Sequence, residues 1–233
     1  MRGQGTLWSF LHDETMTTTS TQQAEGAIRF RYRLTPARET DALDAQHFSR
    51  LAGWRRVLKT LALIGRDPKR YDGFAYGNLS VRDRAEPTRF FVTASQTGGA
   101  PKLVPDDVVR IDAWNVERFE VDATGAHPPS SESITHAMVY AADARIDWIM
   151  HVHSPAIWRS ATSLKLPTTA ADVEYGSPAM AEAVDALTHR HARRPLVFAT
   201  LGHEDGVFAC GATADGTGAA LLRALERALV RPS

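Results

Sequence analysis

The sequence predicts an α/β fold in which a mostly antiparallel sheet is flanked by helices. Three observations lead there. Short apolar runs with period-two alternation are spread along the chain, as in EGAIRFRYRL (25–34). Amphipathic helical patterns separate some of them. The order of the two types has no strict strand–helix–strand alternation and no internal repeat, which argues against a purely parallel sheet.

The elements follow in order. Ile28, Phe30, Tyr32 and Leu34 alternate with arginines and predict a half-buried strand. From Asp41 the apolar spacing becomes helical through Leu43, Phe48, Leu51, Trp54, Val57, Leu58, Leu61 and Ile64, and Gly65 is the expected stop. YDGFAYGNLSVRD is punctuated by glycine and runs into a strand; FFVTAS is a further strand, followed by the loop QTGGAPKLVPDD. VVRIDAW and ERFEVDATG read as two strands joined by a short turn. After Pro128 and Pro129 a helix is expected over about 131–144 with Ser130 as N-cap. WIMHVHS (148–154) is the next strand, and Ser177 then Pro178 open another helix. PLVFATLGHEDGVFACG gives two apolar strands around a turn, and GTGAALLRALERALV closes the chain as a helix.

Composition removes several classes. The chain has 233 residues, 43% hydrophobic and 23% charged, as expected of a globular protein. Lys plus Arg equals Asp plus Glu at 27 each, so no global field attracts nucleic acid or an anionic membrane, and neither partner is expected. Cys210 is the single cysteine, which excludes an internal disulfide and fits a reducing cytoplasm. No apolar stretch reaches the roughly 18–20 residues that cross a bilayer. Residues 1–24, polar and rich in threonine after Met16, read as a disordered extension, and 25–233 as the folded domain.

The chemistry begins at WIMHVHS. Side chains at i and i+2 share one face of a strand, so His151 and His153 are able to converge on one ion, a common start to a zinc site. His203 lies in a turn between two apolar strands and is a candidate third ligand. His12, His47, His189 and His191 sit in polar or helical contexts and read as surface residues, while His136 lies near the core. HPPSSES places Ser130, Ser131 and Glu132 where first-turn amides of a helix offer an anion site. Glu132 has two roles open to it, a macrodipole-friendly acid or a general acid/base. The loops GNLS (77–80) and TGG (97–99) are either ordinary turns or a nest of amides and hydroxyls for a phosphate, built without any lysine.

Six pieces in series resemble the class II aldolase/adducin family: GNLSVR; FVTASQTGG with KLVPDDVVRID; PSSES with a helix containing HAMVY; HVHSP; EYGSPAMAEAV; and GHEDGVFACG. The resemblance runs from about Leu51 to Leu229. It implies a single-domain fold with a central, mostly antiparallel sheet between helical layers, assembled as a homotetramer with the active site at a subunit interface. It implies that His151, His153 and His203 bind a divalent metal, most often Zn2+, with Mn2+, Co2+ or Fe2+ also accepted by three imidazoles. It implies Glu132 as the acid/base, with Asn78, Thr97, Gly98, Ser130 and Ser131 around the phosphate of a sugar-phosphate-like substrate.

Two departures qualify which reaction is expected. Aldolase members commonly carry HHG at the metal histidine, whereas this chain has His203-Glu204-Asp205-Gly206, so Glu204 or Asp205 is a candidate accessory acid. The stretch between HVHSP and EYGSP is short, and its one tyrosine, Tyr175, aligns with the downstream end of the region that carries a proton-donating tyrosine in fuculose-phosphate aldolase. The expectation is a metal-dependent aldolase-type lyase acting through an enediolate. A decarboxylase or epimerase on the same chemistry is second. A non-catalytic adducin-like binding protein is third, disfavoured because adducin heads lack the metal histidines.

Overall fold

The computed structural model describes residues 26–230. The reading of residues 1–24 as a disordered extension lies outside them. The described chain runs β1 (Arg31–Thr35), α1 (Ala45–Thr60), β2 (Gly65–Arg66), β3 (Ala75–Tyr76), β4 (Asn78–Arg82), β5 (Phe90–Thr93), β6 (Val108–Asn115), β7 (Glu120–Thr124), α2 (Ser133–Ala142), β8 (Trp148–His153), α3 (Pro155–Ser160), α4 (Pro178–Arg190), β9 (Leu196–Ala199), β10 (Gly206–Gly211) and α5 (Ala214–Val230).

Eight strands form one sheet in the order β1-β7-β6-β5-β4-β8-β10-β9, and β2 pairs with β3 apart from it. Every pairing within the large sheet is antiparallel except β1 with β7. Helices cover both faces. Ile134, Ala137 and Tyr140 of α2 and Met180, Val184 and Leu187 of α4 pack with Phe90, Ile111, Ile149, Phe198 and Phe208 on one side. Leu51 and Leu58 of α1, Ile157 of α3, and Leu221 and Ala224 of α5 pack with Leu79, Val81, Met150 and Val207 on the other. The mostly antiparallel, helix-flanked sheet expected from the sequence is the fold observed.

The two cores explain β8. It sits between β4 and β10, so it is buried on both faces and along both edges. Trp148, Met150 and Val152 belong to the core beneath α1, α3 and α5. Ile149, His151 and His153 alternate onto the opposite face, where Ile149 joins the core under α2 and α4.

Local structure departs from expectation at several helix ends and at one histidine. The first helix starts later, with Asp44 accepting from the His47 amide as N-cap, and stops earlier, because Ala62 turns to φ 54° and Leu63 and Ile64 enter the core outside the helix. Ser130 is not the N-cap of α2. Its carbonyl accepts from the Ser133 amide at 3.0 Å in a preceding turn, and Glu132 holds the cap position. The short helix α3, capped by the Ser154 hydroxyl at the Ile157 amide, was hidden in HVHSPAIWRS. His47 is not a surface residue: it stacks on Trp148 with ring centres 5.8 Å apart and holds Asp44 at 2.6 Å through Nδ1.

Candidate metal centre and anion cleft

Strand register brings the first two histidines to the sheet's open end. His151 lies opposite Asn78 of β4 on one side and Phe208 of β10 on the other, and His153 lies opposite Gly206. His203 arrives from the tight turn between β9 and β10, which is closed by the His203 amide on Thr200 O and the Gly206 amide on His203 O, both at 3.0 Å. The three imidazoles converge. One candidate ligand atom from each lies within 4.8 Å of the others, and all three residues are buried. His151 Nδ1 meets the Val207 carbonyl oxygen at 3.3 Å, a contact in which the ring must donate, so the ring's lone pair sits on Nε2. Three imidazole nitrogens around one point are the donor set of a catalytic zinc site, which keeps a position open for substrate. The residues present fit a divalent ion.

Glu132 is 3% exposed, and its Oε1 lies 3.4 Å from His203 Nδ1. It also lines a small cleft with Gly77, Asn78, Thr97, Gly98, Ser130 and Ser131. All the residues expected around a phosphate therefore share one cleft, and Glu132 joins that cleft to the histidines. Asn78 is 8% exposed, and its carboxamide oxygen has no hydrogen-bond partner among the described residues, so the group can accept from a ligand hydroxyl or, with the amide turned over, donate to an anion. The Thr97 hydroxyl donates to Ala94 O at 2.7 Å, so its proton is committed within the loop and it meets an anion only by turning away from that carbonyl. Gly98 must be glycine, since a Cβ there would lie 2.8 Å from the carbonyl oxygens of both Gly65 and Tyr76.

The TGG loop has a cationic backing that the sequence reading missed. Arg55 of α1, 3% exposed, donates through Nη2 to the carbonyls of Thr97 (2.5 Å), Gly98 (3.2 Å) and Ala100 (2.8 Å). Lys59, one turn on, reaches Gly99 O and Ala100 O at 2.7 Å each. In a planar trans peptide the N–H points opposite to the C=O, so holding these carbonyls toward α1 aims the Gly98 and Gly99 amides away from it. Burial, with Arg55 close by, lowers the pKa of Lys59. No lysine or arginine lines the cleft itself; Arg55 and Lys59 stand behind its loop and hold the loop's carbonyls. Their spacing of four on one helix face was the available signal, and nothing local tied it to residues 97–100.

Around the histidines stand three further groups. Tyr175, 6% exposed, lies over His203 with ring centres 4.2 Å apart. It reaches there because a Cβ on Gly202 would lie 1.8 Å from Val173 O, so glycine alone admits the approach of the two segments. Tyr71 meets the His153 ring at 4.6 Å, and its hydroxyl donates to Asp205 Oδ2 at 2.7 Å. Burial first, then the bond to Asp205, raises the Tyr71 pKa far above its usual value, so the hydroxyl stays protonated. Of the two acids expected to assist, Asp205 is 5% exposed and committed to Tyr71, whereas Glu204 is exposed.

The sequence profile of the Class II Aldolase and Adducin N-terminal domain matches residues 59–229. The chain belongs to that family. Among curated proteins, none matches the chain by sequence. An L-fuculose-1-phosphate aldolase from Thermus thermophilus superposes on this family member with a TM-score of 0.54 at 19% identity, covering 81% of this chain and 94% of its own. A second L-fuculose 1-phosphate aldolase gives 0.55 at 20% identity, covering 82% and 91%. The YgbL protein of Klebsiella pneumoniae, provisionally an aldolase, epimerase or decarboxylase, gives 0.57 at 16% identity, covering 79% and 88%. These likenesses establish the shared fold. Among the described residues of this class II aldolase-family chain, no helix is long and apolar enough to cross a membrane.

Proposed function

We propose that this protein is a metal-dependent lyase of the aldolase type, cleaving a carbon–carbon bond in a small phosphorylated hydroxy-carbonyl compound through an enediolate. One observation carries the reading: Glu132 belongs at once to the anion cleft and to the edge of the histidine cluster. A substrate with phosphate in the cleft would have its reacting carbons beside that carboxylate.

Each residue then has a task. Asn78, Thr97, Gly98, Ser130 and Ser131 bind the phosphate, and this remote contact orients the reacting carbon. His151, His153 and His203 would hold the divalent ion, zinc by donor chemistry, which supplies a Lewis acid where negative charge develops on the carbonyl oxygen. Glu132 moves a proton to or from the carbon that becomes nucleophilic. Asp205 fixes Tyr71 against His153, and Glu204 is the exposed acid available at the turn. A decarboxylase or epimerase is the second reading, since it needs the same enediolate and the YgbL fold neighbour is provisionally assigned to those activities too. A cytoplasmic homotetramer acting on a sugar phosphate fits the family and belongs to the same proposal.

The test is elemental analysis of the purified protein beside a His151→Ala/His153→Ala variant, then a screen of hydroxy-carbonyl phosphates for retro-aldol products. About one zinc or manganese per chain, absent from the variant, with aldehyde release by the wild type alone, is expected. A wild type that takes up no metal when supplied with it refutes the reading.

A further inference from the structure

The segment between β2 and β3 carries backbone that is costly to hold. Tyr71 (φ 50°) and Asp72 (φ 53°) both sit in the left-handed region without being glycine, followed by Gly73 at φ 76°. Such conformations persist where the surroundings over-determine them, and they concentrate at functional sites. Here they deliver Tyr71 and its neighbour Arg70 to the histidine cluster. The Arg70 guanidinium lies over the rings of Tyr71 and Tyr76, 4.8 and 5.2 Å from their centres. Those two rings in turn lie 4.6 and 5.5 Å from the ring of His153.

The hydrogen bonds of this cluster have a fixed direction. Arg70 Nη2 donates to the Tyr71 hydroxyl at 2.5 Å and reaches Asp205 Oδ2 at 3.4 Å, and the Tyr71 hydroxyl donates onward to Asp205. Tyr71 has therefore spent its one proton, and Asp205 is an acceptor. Arg70 alone has donors left: both of its bonds among the described residues come from Nη2, while a guanidinium carries five N–H groups. Its side chain is 29% exposed against 6% for Asp205, so the cluster presents a cation outward on a buried carboxylate base. A guanidinium stacked on two aromatic rings is pre-organised, and its planar fork matches a carboxylate.

We propose that Arg70 is a specificity-determining residue that receives a carboxylate of the substrate, so that the compound cleaved here is an acid as well as a phosphate ester. This rests on the metal-dependent reading above and sharpens its substrate class. The Gly98 amide and the serine hydroxyls of the cleft are the groups proposed for the phosphate, and Arg70 is then the donor for a second anion, a carboxylate, at the His153 side. A carboxylate paired with Arg70 is stabilised in its charged form. That opposes its loss as carbon dioxide and favours cleavage at another bond.

The test uses the full-length protein loaded with cobalt(II), whose visible spectrum reports ligands at the histidine site. Glycolate, tartronate and malate are titrated into wild type, Arg70→Gln and Arg70→Lys; the last two acids add a second carboxylate to the same hydroxy-acid group. Metal content and unfolding temperature establish that the variants are folded and loaded. Tartronate or malate is expected to bind wild type at least tenfold more tightly than glycolate. Arg70→Gln should lose that preference while still binding glycolate, and Arg70→Lys should keep part of it. A preference absent from wild type, or unchanged in Arg70→Gln, overturns the assignment and leaves the metal site standing. An Arg70-dependent gain with phosphoglycolate instead of the dicarboxylates also overturns it, by giving Arg70 the phosphate. Failure to bind cobalt at all removes the metal-dependent reading and this inference with it.

Discussion

Arg55→Met tests the view that the anion loop is held from behind by charge. Methionine keeps the apolar stem and its packing but removes the guanidinium. The loss can be apportioned from the contacts. Ala100 O keeps Lys59 at 2.7 Å, and Thr97 O keeps the Ala100 amide at 3.0 Å. Gly98 O loses its donor from α1. Hydrogen bonds to a charged group contribute about 1.5–3 kcal/mol each, and a buried carbonyl left unsatisfied costs about 1–3 kcal/mol. Release of a guanidinium from burial, where desolvation lowers its pKa, returns part of this. A net loss of about 2–3 kcal/mol follows, which for a chain of this size lowers the unfolding temperature by about 5–10 °C. Thermal unfolding measures the first quantity, and amide hydrogen exchange over residues 96–101 measures the local one. Exchange there should accelerate more than in β8, and orthophosphate should protect the wild-type loop better than the variant's. A stability change below about 0.5 kcal/mol with unchanged loop exchange would refute the reasoning.

Three more outcomes are expected. Glu132→Gln should retain metal at the wild-type stoichiometry and lose about 10²–10⁴-fold in turnover on any substrate found, because proton transfer is worth that much; full activity would remove Glu132 from the proton's path. His136 is wholly buried, bonded to Ser80 Oγ at 2.7 Å through Nδ1, and burial lowers its pKa to about 3. Because the folded value lies below the unfolded one, the unfolded chain binds the extra proton, and stability falls as pH drops below about 6.5. Between pH 7 and 5 this amounts to about 2 kcal/mol, and His136→Asn should remove that share of the pH dependence in paired unfolding curves. Stripping the metal with EDTA should lower the unfolding temperature of wild type but not of His151→Ala/His153→Ala, since an ion at a hundred times its Kd adds about 2.7 kcal/mol.

Much of this was legible in local pattern. The alternation of WIMHVHS placed His151 and His153 on one face, and the structure has them there because β8 is central in the sheet and each face must meet a helical layer. The helix-flanked sheet followed from strand and helix periodicities. Boundaries were read less well where tertiary contact overrides propensity. Leu61 to Ile64 continue a helical spacing, yet Leu63 and Ile64 are buried only after the chain turns at Ala62. Ser130, a favourable N-cap residue, ends in a turn because its carbonyl is taken by Ser133.

The sequence by itself determined which chemistry-bearing residues exist and which lie on a common strand face, since both follow from side-chain type and a period of two. It determined the family as well, through six short motifs in order. Only the tertiary structure decided that Arg55 stands behind Thr97 and Gly98, that Tyr175 lies over His203, and that Arg70 and Tyr71 meet Asp205 more than 130 residues away. These contacts join side chains whose separation along the chain carries no periodic signal. Their partners are chosen by strand order and by how closely glycines such as Gly98 and Gly202 let segments approach, which is a property of the packed sheet and not of any window of sequence.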